Sequence, residues 1–207
     1  MSHPELTETT IRYLFATGWL PSDSSRQVVA VPGGSTTAID TAGNLLHIAM
    51  WNLRRQGLMD FEQLRPAERE QVRVLGGRPF SGHALIDHDA RLPGLEGALL
   101  DAARTVPPGD VRGLVRALDL DNRGPWNTVC GHCFQEAAAA GLVEVKGRVF
   151  RKIEIADEAG VASLRERNDE LRAARGDYLD AEPDVTMAVM SDCLRAVTDA
   201  FNPGLGG

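Results

Sequence analysis

Residues Phe134–Ile155 read FQEAAAAGLVEVKGRVFRKIEI, and the fold class turns on this stretch. Its first half continues a helix that begins at Trp126, with Val129, Cys133, Ala137 and Ala140 spaced for one inward face. Gly141 stops that helix, because glycine enters the left-handed conformation of a helix terminus without a Cβ penalty. The second half alternates. Leu142, Val145, Val149, Ile153 and Ile155 flank Lys146-Gly147, the pattern of an antiparallel β-hairpin with a tight tip.

Working outward, Leu95, Leu99 and Ala102-Ala103 are spaced for a helix from Leu92, and Pro107-Pro108 forbids its continuation. Asp110 caps a short helix bearing Val111, Leu114, Val115 and Leu118, and Asp121–Pro125 is a turn. Nearer the N-terminus, residues 5–17 read as a helix with Ile11, Leu14 and Phe15 on one side. Gln27–Val31 reads as a strand. Asp40 or Thr41 is the expected cap of a helix with Leu45, Ile48, Ala49 and Leu53 on one face, ended by Gly57. Leu58–Phe61 alternates like a strand, and Gln71–Leu75 resembles its partner. Beyond the hairpin, a polar helix covers roughly Gly160–Arg175. Asp184 then caps a last helix whose Met187, Met190, Leu194, Val197 and Phe201 have the three-and-four spacing of a buried face. With no repeat, low-complexity tract or long linker, the expectation is one mostly α-helical domain over residues 1–207, with small β-strands and a β-hairpin.

The 207 residues are 43% hydrophobic and 25% charged, a globular balance. A net charge of −7 excludes a protein whose whole surface grips nucleic acid or an acidic membrane, so any such contact uses a local patch. Three cysteines make no disulfide framework and suit a reducing cytosol. No stretch approaches the ~20 apolar residues of a membrane span, and the start, MSHPELTETTIRYLF, lacks the basic and apolar regions of a signal peptide. The expected location is therefore cytoplasmic, with any membrane contact peripheral.

Cys130-Gly131-His132-Cys133 has the spacing of a dithiol exchange motif or of half a zinc site. It sits a turn inside a helix rather than after a strand, and only Cys193 and scattered histidines could complete a metal site. Packing of two small residues on a helix face is the favoured reading. Pro32–Thr37 lacks the lysine and glycine spacing of a phosphate loop and reads as a turn. His83, Asp87, His88 and Asp89 fall within SGHALIDHDARL, read as a solvated loop. With no nucleophile elbow, HExxH or Ser/His/Asp set, no catalytic residue, metal or cofactor is expected.

Three helices and a hairpin between Leu95 and Ile155 also match the order of a winged helix, whose third helix reads DNA while the wing touches phosphate. Here that helix would offer Asn127, Thr128, His132 and Gln135, and the wing Lys146, Arg148, Arg151 and Lys152. The helix has no Lys or Arg and contains Glu136, so nucleic acid is the second choice of partner.

Three stretches resemble the Golgi phosphoprotein 3 family, in its divergent bacterial branch. Ala42–Glu62 (AGNLLHIAMWNLRRQGLMDFE) is similar to a family helix ending in an Arg/Gly turn before a strand. Phe134–Ile155 is similar to its helix end and following hairpin, and Asp184–Phe201 (DVTMAVMSDCLRAVTDAF) to its last Asp-started helix. The resemblance spans about residues 38–202. It implies a mostly α-helical domain that docks peripherally on membranes by binding phosphatidylinositol 4-phosphate, with an adaptor role toward glycosyltransferases in eukaryotes. The family's headgroup pocket uses a Trp and several Arg, but the matching positions here fall near Thr37, Leu46, Asn127 and Cys130. None of these supplies the bidentate donor that a phosphate wants.

A remodelled anionic site is therefore expected at Arg123, Trp126 and Asn127, where a helix N-terminus favours negative charge. Lys146 and Arg148 of the hairpin complete the candidate set. The plain alternative makes Trp126 a core anchor and pairs Arg123 with Asp119 or Asp121. The expected partners are an anionic phospholipid or membrane surface, or a protein.

Overall fold

The computed structural model describes residues 6–16, 36–63, 81–118, 125–146 and 152–201. Within them the protein is mostly helical, with small antiparallel strands. The order is α1 (Glu8–Ala16), α2 (Thr36–Arg55), β1 (Met59–Gln63), β2 (Ser81–Leu85), α3 (Gly94–Thr105), β3 (Gly109–Asp110) and α4 (Val111–Arg116). There follow α5 (Pro125–Ala139), β4 (Val143–Lys146), β5 (Lys152–Ile155), α6 (Glu158–Ser163), α7 (Arg165–Ala181) and α8 (Pro183–Phe201).

Helix α2 is the axis of the fold. Every residue from Leu45 to Leu53 is buried, because α1, α3, α5, α8 and β1 all pack on it. A helix apolar on all sides must lie inside a protein, and the two polar exceptions, His47 and Asn52, each find a hydrogen-bond partner. Leu14, Leu46, Met50, Leu99, Leu114 and Leu142 are fully buried in a hydrophobic cluster around this axis. Burial of a side chain of this size contributes about 1.5–3 kcal/mol.

Asp110 caps α4 by accepting from the Gly113 N–H, and Gly141, at φ 74°, follows α5. Strands β4 and β5 form the antiparallel hairpin, with Val143 opposite Ile155 and Lys146 opposite Lys152.

Several expectations need correction. Helix α2 starts at Thr36, a turn before the Asp40 or Thr41 cap. Strand β1 pairs with Ser81–Leu85, in the register Met59–Leu85 to Gln63–Ser81; Gln71–Leu75 lies outside the described residues, as does Gln27–Val31. The histidine-rich stretch is thus no solvated loop at its start, since Ser81–Leu85 is the central strand of the β1-β2-β3 sheet. The polar helix is two helices, α6 and α7, broken at Leu164. In α8 the buried stripe is Val189, Cys193, Ala196 and Val197, while Met187 is 55% exposed. Helix α8 turns this way because Asp192 faces inward, accepting from the Ser81 N–H and Oγ at 2.7 and 2.8 Å.

Among the described residues, no helix is long and apolar enough to cross a membrane.

Candidate functional site

Of the predicted anion contacts, Arg123 and Arg148 lie outside the described residues. Trp126 and Asn127 occupy the first turn of α5, where the structure describes the backbone alone. Lys146 is fully described. Its Nζ sits 2.9 Å from Glu144 Oε1 and 3.1 Å from Glu154 Oε2, and these two carboxylates raise its pKa. The ammonium is thus already answered by two acidic neighbours on its own sheet face.

The alternating pattern explains this arrangement. Side chains of a strand point alternately to opposite faces, so Glu144, Lys146 and Glu154 share one face and Val143, Val145 and Ile155 the other. At the base, Val143 is buried and Ile155 packs against the core. Val145, two residues further along, is 48% exposed, although the sequence pattern places it inside. The hairpin is therefore amphipathic, with its apolar face buried at Val143 and open to solvent at Val145.

Helix α5 supports the hairpin and forms part of the core. Val129, Cys130, Cys133 and Ala137 are buried, and the helix packs on α1, α2, α3 and β4. Its more exposed positions, including His132, Gln135 and Ala139, carry no Lys or Arg, so this helix offers little to a DNA phosphate backbone. Burial raises the pKa of the Cys130 and Cys133 thiols. Thiol exchange needs an accessible thiolate, and this environment favours the opposite. Among the described residues, no group of three His, Cys, Asp or Glu side chains is placed to hold a metal ion.

The polar centre of the molecule was not legible in the sequence. Glu136 of α5 accepts from the Thr7 N–H at 2.5 Å, the Thr7 hydroxyl at 2.7 Å and the Thr10 hydroxyl at 2.6 Å. Glu96 of α3 accepts from the Thr9 N–H, the Thr9 hydroxyl and Asn52 Nδ2 at 3.2, 2.6 and 3.1 Å. Burial raises the Glu96 pKa, with Thr9 and Asn52 working against it. The first turn of a helix presents unsatisfied N–H groups, and here carboxylates from two other helices accept from the Thr7 and Thr9 N–H, while the Thr7 hydroxyl accepts from the Thr10 N–H. Both Glu136 oxygens and Oε1 of Glu96 are engaged in holding α1 in place, while Oε2 of Glu96 is buried with no hydrogen-bond partner. The only local signal was the Thr-rich start of α1, since its acceptors lie 87 and 129 residues away.

On the exposed face of β1 and β2 lies an open cleft of about 340 Å³, lined by Asp60, Glu62, Gly82, Ala84, Pro108 and Gly109 among others. His83 also lines it yet is 6% exposed, and burial lowers its pKa. The acidic walls repel an anionic headgroup.

Compared with protein-family models, curated proteins and solved structures, the chain matches none of them.

Proposed function

We propose that this chain is a non-enzymatic, peripheral membrane domain that binds an anionic phospholipid surface and acts as an adaptor, a member of the Golgi phosphoprotein 3-like group. The observation that carries this reading is the amphipathic hairpin. Its apolar face continues from buried Val143 to exposed Val145, while Glu144, Lys146 and Glu154 close a charge cluster on the other. A membrane interface suits such a hairpin, taking the apolar face inward and leaving the charged face in water. One valine buries little, at ~0.8 kcal/mol per CH₂, so stable docking needs a second, electrostatic contact.

Flotation on phosphatidylcholine vesicles, with and without phosphatidylserine or phosphatidylinositol 4-phosphate, tests this. The chain is expected to float with anionic vesicles and to release as salt rises. Val145→Asp should remain at the bottom of the gradient with unchanged thermal unfolding. No flotation at any composition, or a Val145→Asp variant that floats like the parent, overturns the reading. A gel-shift with duplex DNA at matched salt covers the winged-helix alternative, and a salt-steep affinity there would replace lipid by nucleic acid.

A further inference from the structure

Along the seam between α1 and α7, cations gather without matching carboxylates. At one end the seam is balanced, where Glu8 Oε1 accepts from both Arg55 and Arg167. One turn further along α1 it is not. Arg12 donates through Nη1 to Asn168 Oδ1 at 2.6 Å, and the charges of Arg172 and Arg175 lower its pKa after burial has done so. Arg175 donates through Nη2 to Nδ1 of His47 at 3.2 Å.

Neutral groups hold these two guanidinium forks. Asn168 is uncharged, and the buried His47 imidazole has its pKa lowered to about 4 by burial and by Arg175. Each orients an arginine without cancelling its charge. Among the described residues, no carboxylate lies within 4 Å of the guanidinium nitrogens of Arg12, Arg172 or Arg175; Asp169 acts on Arg12 from further away. The Nε atoms of Arg12 and Arg175 are buried and have no acceptor.

Arginine stems lying over a helix seam would account for exposed Arg172 alone. They do not account for Arg12 and Arg175, half-buried guanidinium groups each turned onto a neutral partner. Arg172 and Arg175 are three apart on α7 and so share a face, while Arg12 comes from the facing helix.

We propose that Arg12, Arg172 and Arg175 form a binding site for a phosphomonoester group, with Asn168 and His47 fixing two of the three forks. A phosphomonoester carries about −1.5 to −2 charges at neutral pH and three free oxygens. It thereby answers three guanidinium groups, where a carboxylate or a phosphodiester brings one charge and two oxygens. Bidentate guanidinium contacts are the strong form of such recognition. The phosphate belongs either to a small soluble ester or to a lipid headgroup. The site is independent of the hairpin.

Calorimetric titration of the full chain with glycerol 3-phosphate probes the soluble source. Flotation on vesicles containing phosphatidic acid, a monoester, against phosphatidylglycerol, a diester, probes the lipid source. The expected result is saturable binding in the first arm or a preference for phosphatidic acid in the second. In either arm Arg172→Gln should weaken binding at least about ten-fold, the value of one charge-assisted contact. Arg116→Gln, an equal charge change at an exposed residue of α4 that pairs with Asp199, should leave binding as it was. Arg172 is exposed, so its loss spares the fold, and Arg12→Lys, which keeps charge but removes the fork, should also weaken binding. The proposal is overturned if glycerol 3-phosphate does not bind and the two lipids are taken equally, or if Arg172→Gln behaves like Arg116→Gln. Val145→Asp should retain full affinity for glycerol 3-phosphate, so failure of the hairpin reading and failure of this site give different results.

Discussion

Replacing Gly94 with Ala tests whether Glu136 anchors α1. Gly94 opens α3 with φ 64°, and a Cβ there would collide with the Glu136 carboxylate. The left-handed conformation alone costs a residue with a Cβ about 1–2 kcal/mol. The carboxylate has no free direction to retreat, because Thr7 and Thr10 hold both its oxygens. If it moves, at least one charge-assisted hydrogen bond is lost, at about 1.5–3 kcal/mol. The sum predicts a destabilisation of about 2.5–5 kcal/mol. Urea unfolding followed by circular dichroism reads this as a midpoint lowered by about 1.2–2.5 M, for a slope of about 2 kcal/mol/M. The decisive comparison is the same substitution in a Glu136→Ala background, where only the backbone cost of about 1–2 kcal/mol should survive. A cost below about 1 kcal/mol, or an equal cost in both backgrounds, refutes the reasoning.

Other tests follow from burial. His47 has a folded pKa near 4 against an ordinary 6.5, so the unfolded chain binds the extra proton between these values. Its contribution is complete above pH ~6.5 and is lost as pH falls toward ~4, up to about 3 kcal/mol; His47→Gln should flatten that part of the stability–pH curve, and an unchanged slope would assign it elsewhere. On α8, Met187→Asp should change stability by less than about 0.5 kcal/mol, whereas Val197→Asp, which buries an unpaired charge, should cost more than about 3 kcal/mol by the same unfolding measurement. Cys130, Cys133 and Cys193 are buried free thiols with raised pKa values, so a thiol-reactive dye should label them only on unfolding. Fast native labelling of Cys130 and Cys133 would restore the exchange-motif reading.

What the sequence determined by itself are the features whose cause lies within a few residues. Asp110 reaches the Gly113 N–H three positions on, Gly141 takes the left-handed angle at the end of its own helix, and the alternation around Lys146 closes a local hairpin. Short-range hydrogen bonds and backbone sterics leave their mark in adjacent letters. Partner choice does not. Alternation in Leu58–Phe61 signals a strand, yet nothing in it selects Ser81–Leu85, and that pairing carries His83 inside the protein. Spacing in α8 offered Met187 as a core residue, but Asp192 held by Ser81, 111 residues away, turns the helix so that Met187 meets solvent. Val145 alternates like a core residue, yet it is 48% exposed while Val143, on the same face, is buried. The arginines are the clearest case. Arg12 and Arg175 lie far apart in the chain, each unremarkable beside its neighbours, and only packing of α1 on α7 and α2 collects their charges. Helical period and caps are local free energies; the sum of charges at a seam depends on which distant surfaces the core brings together.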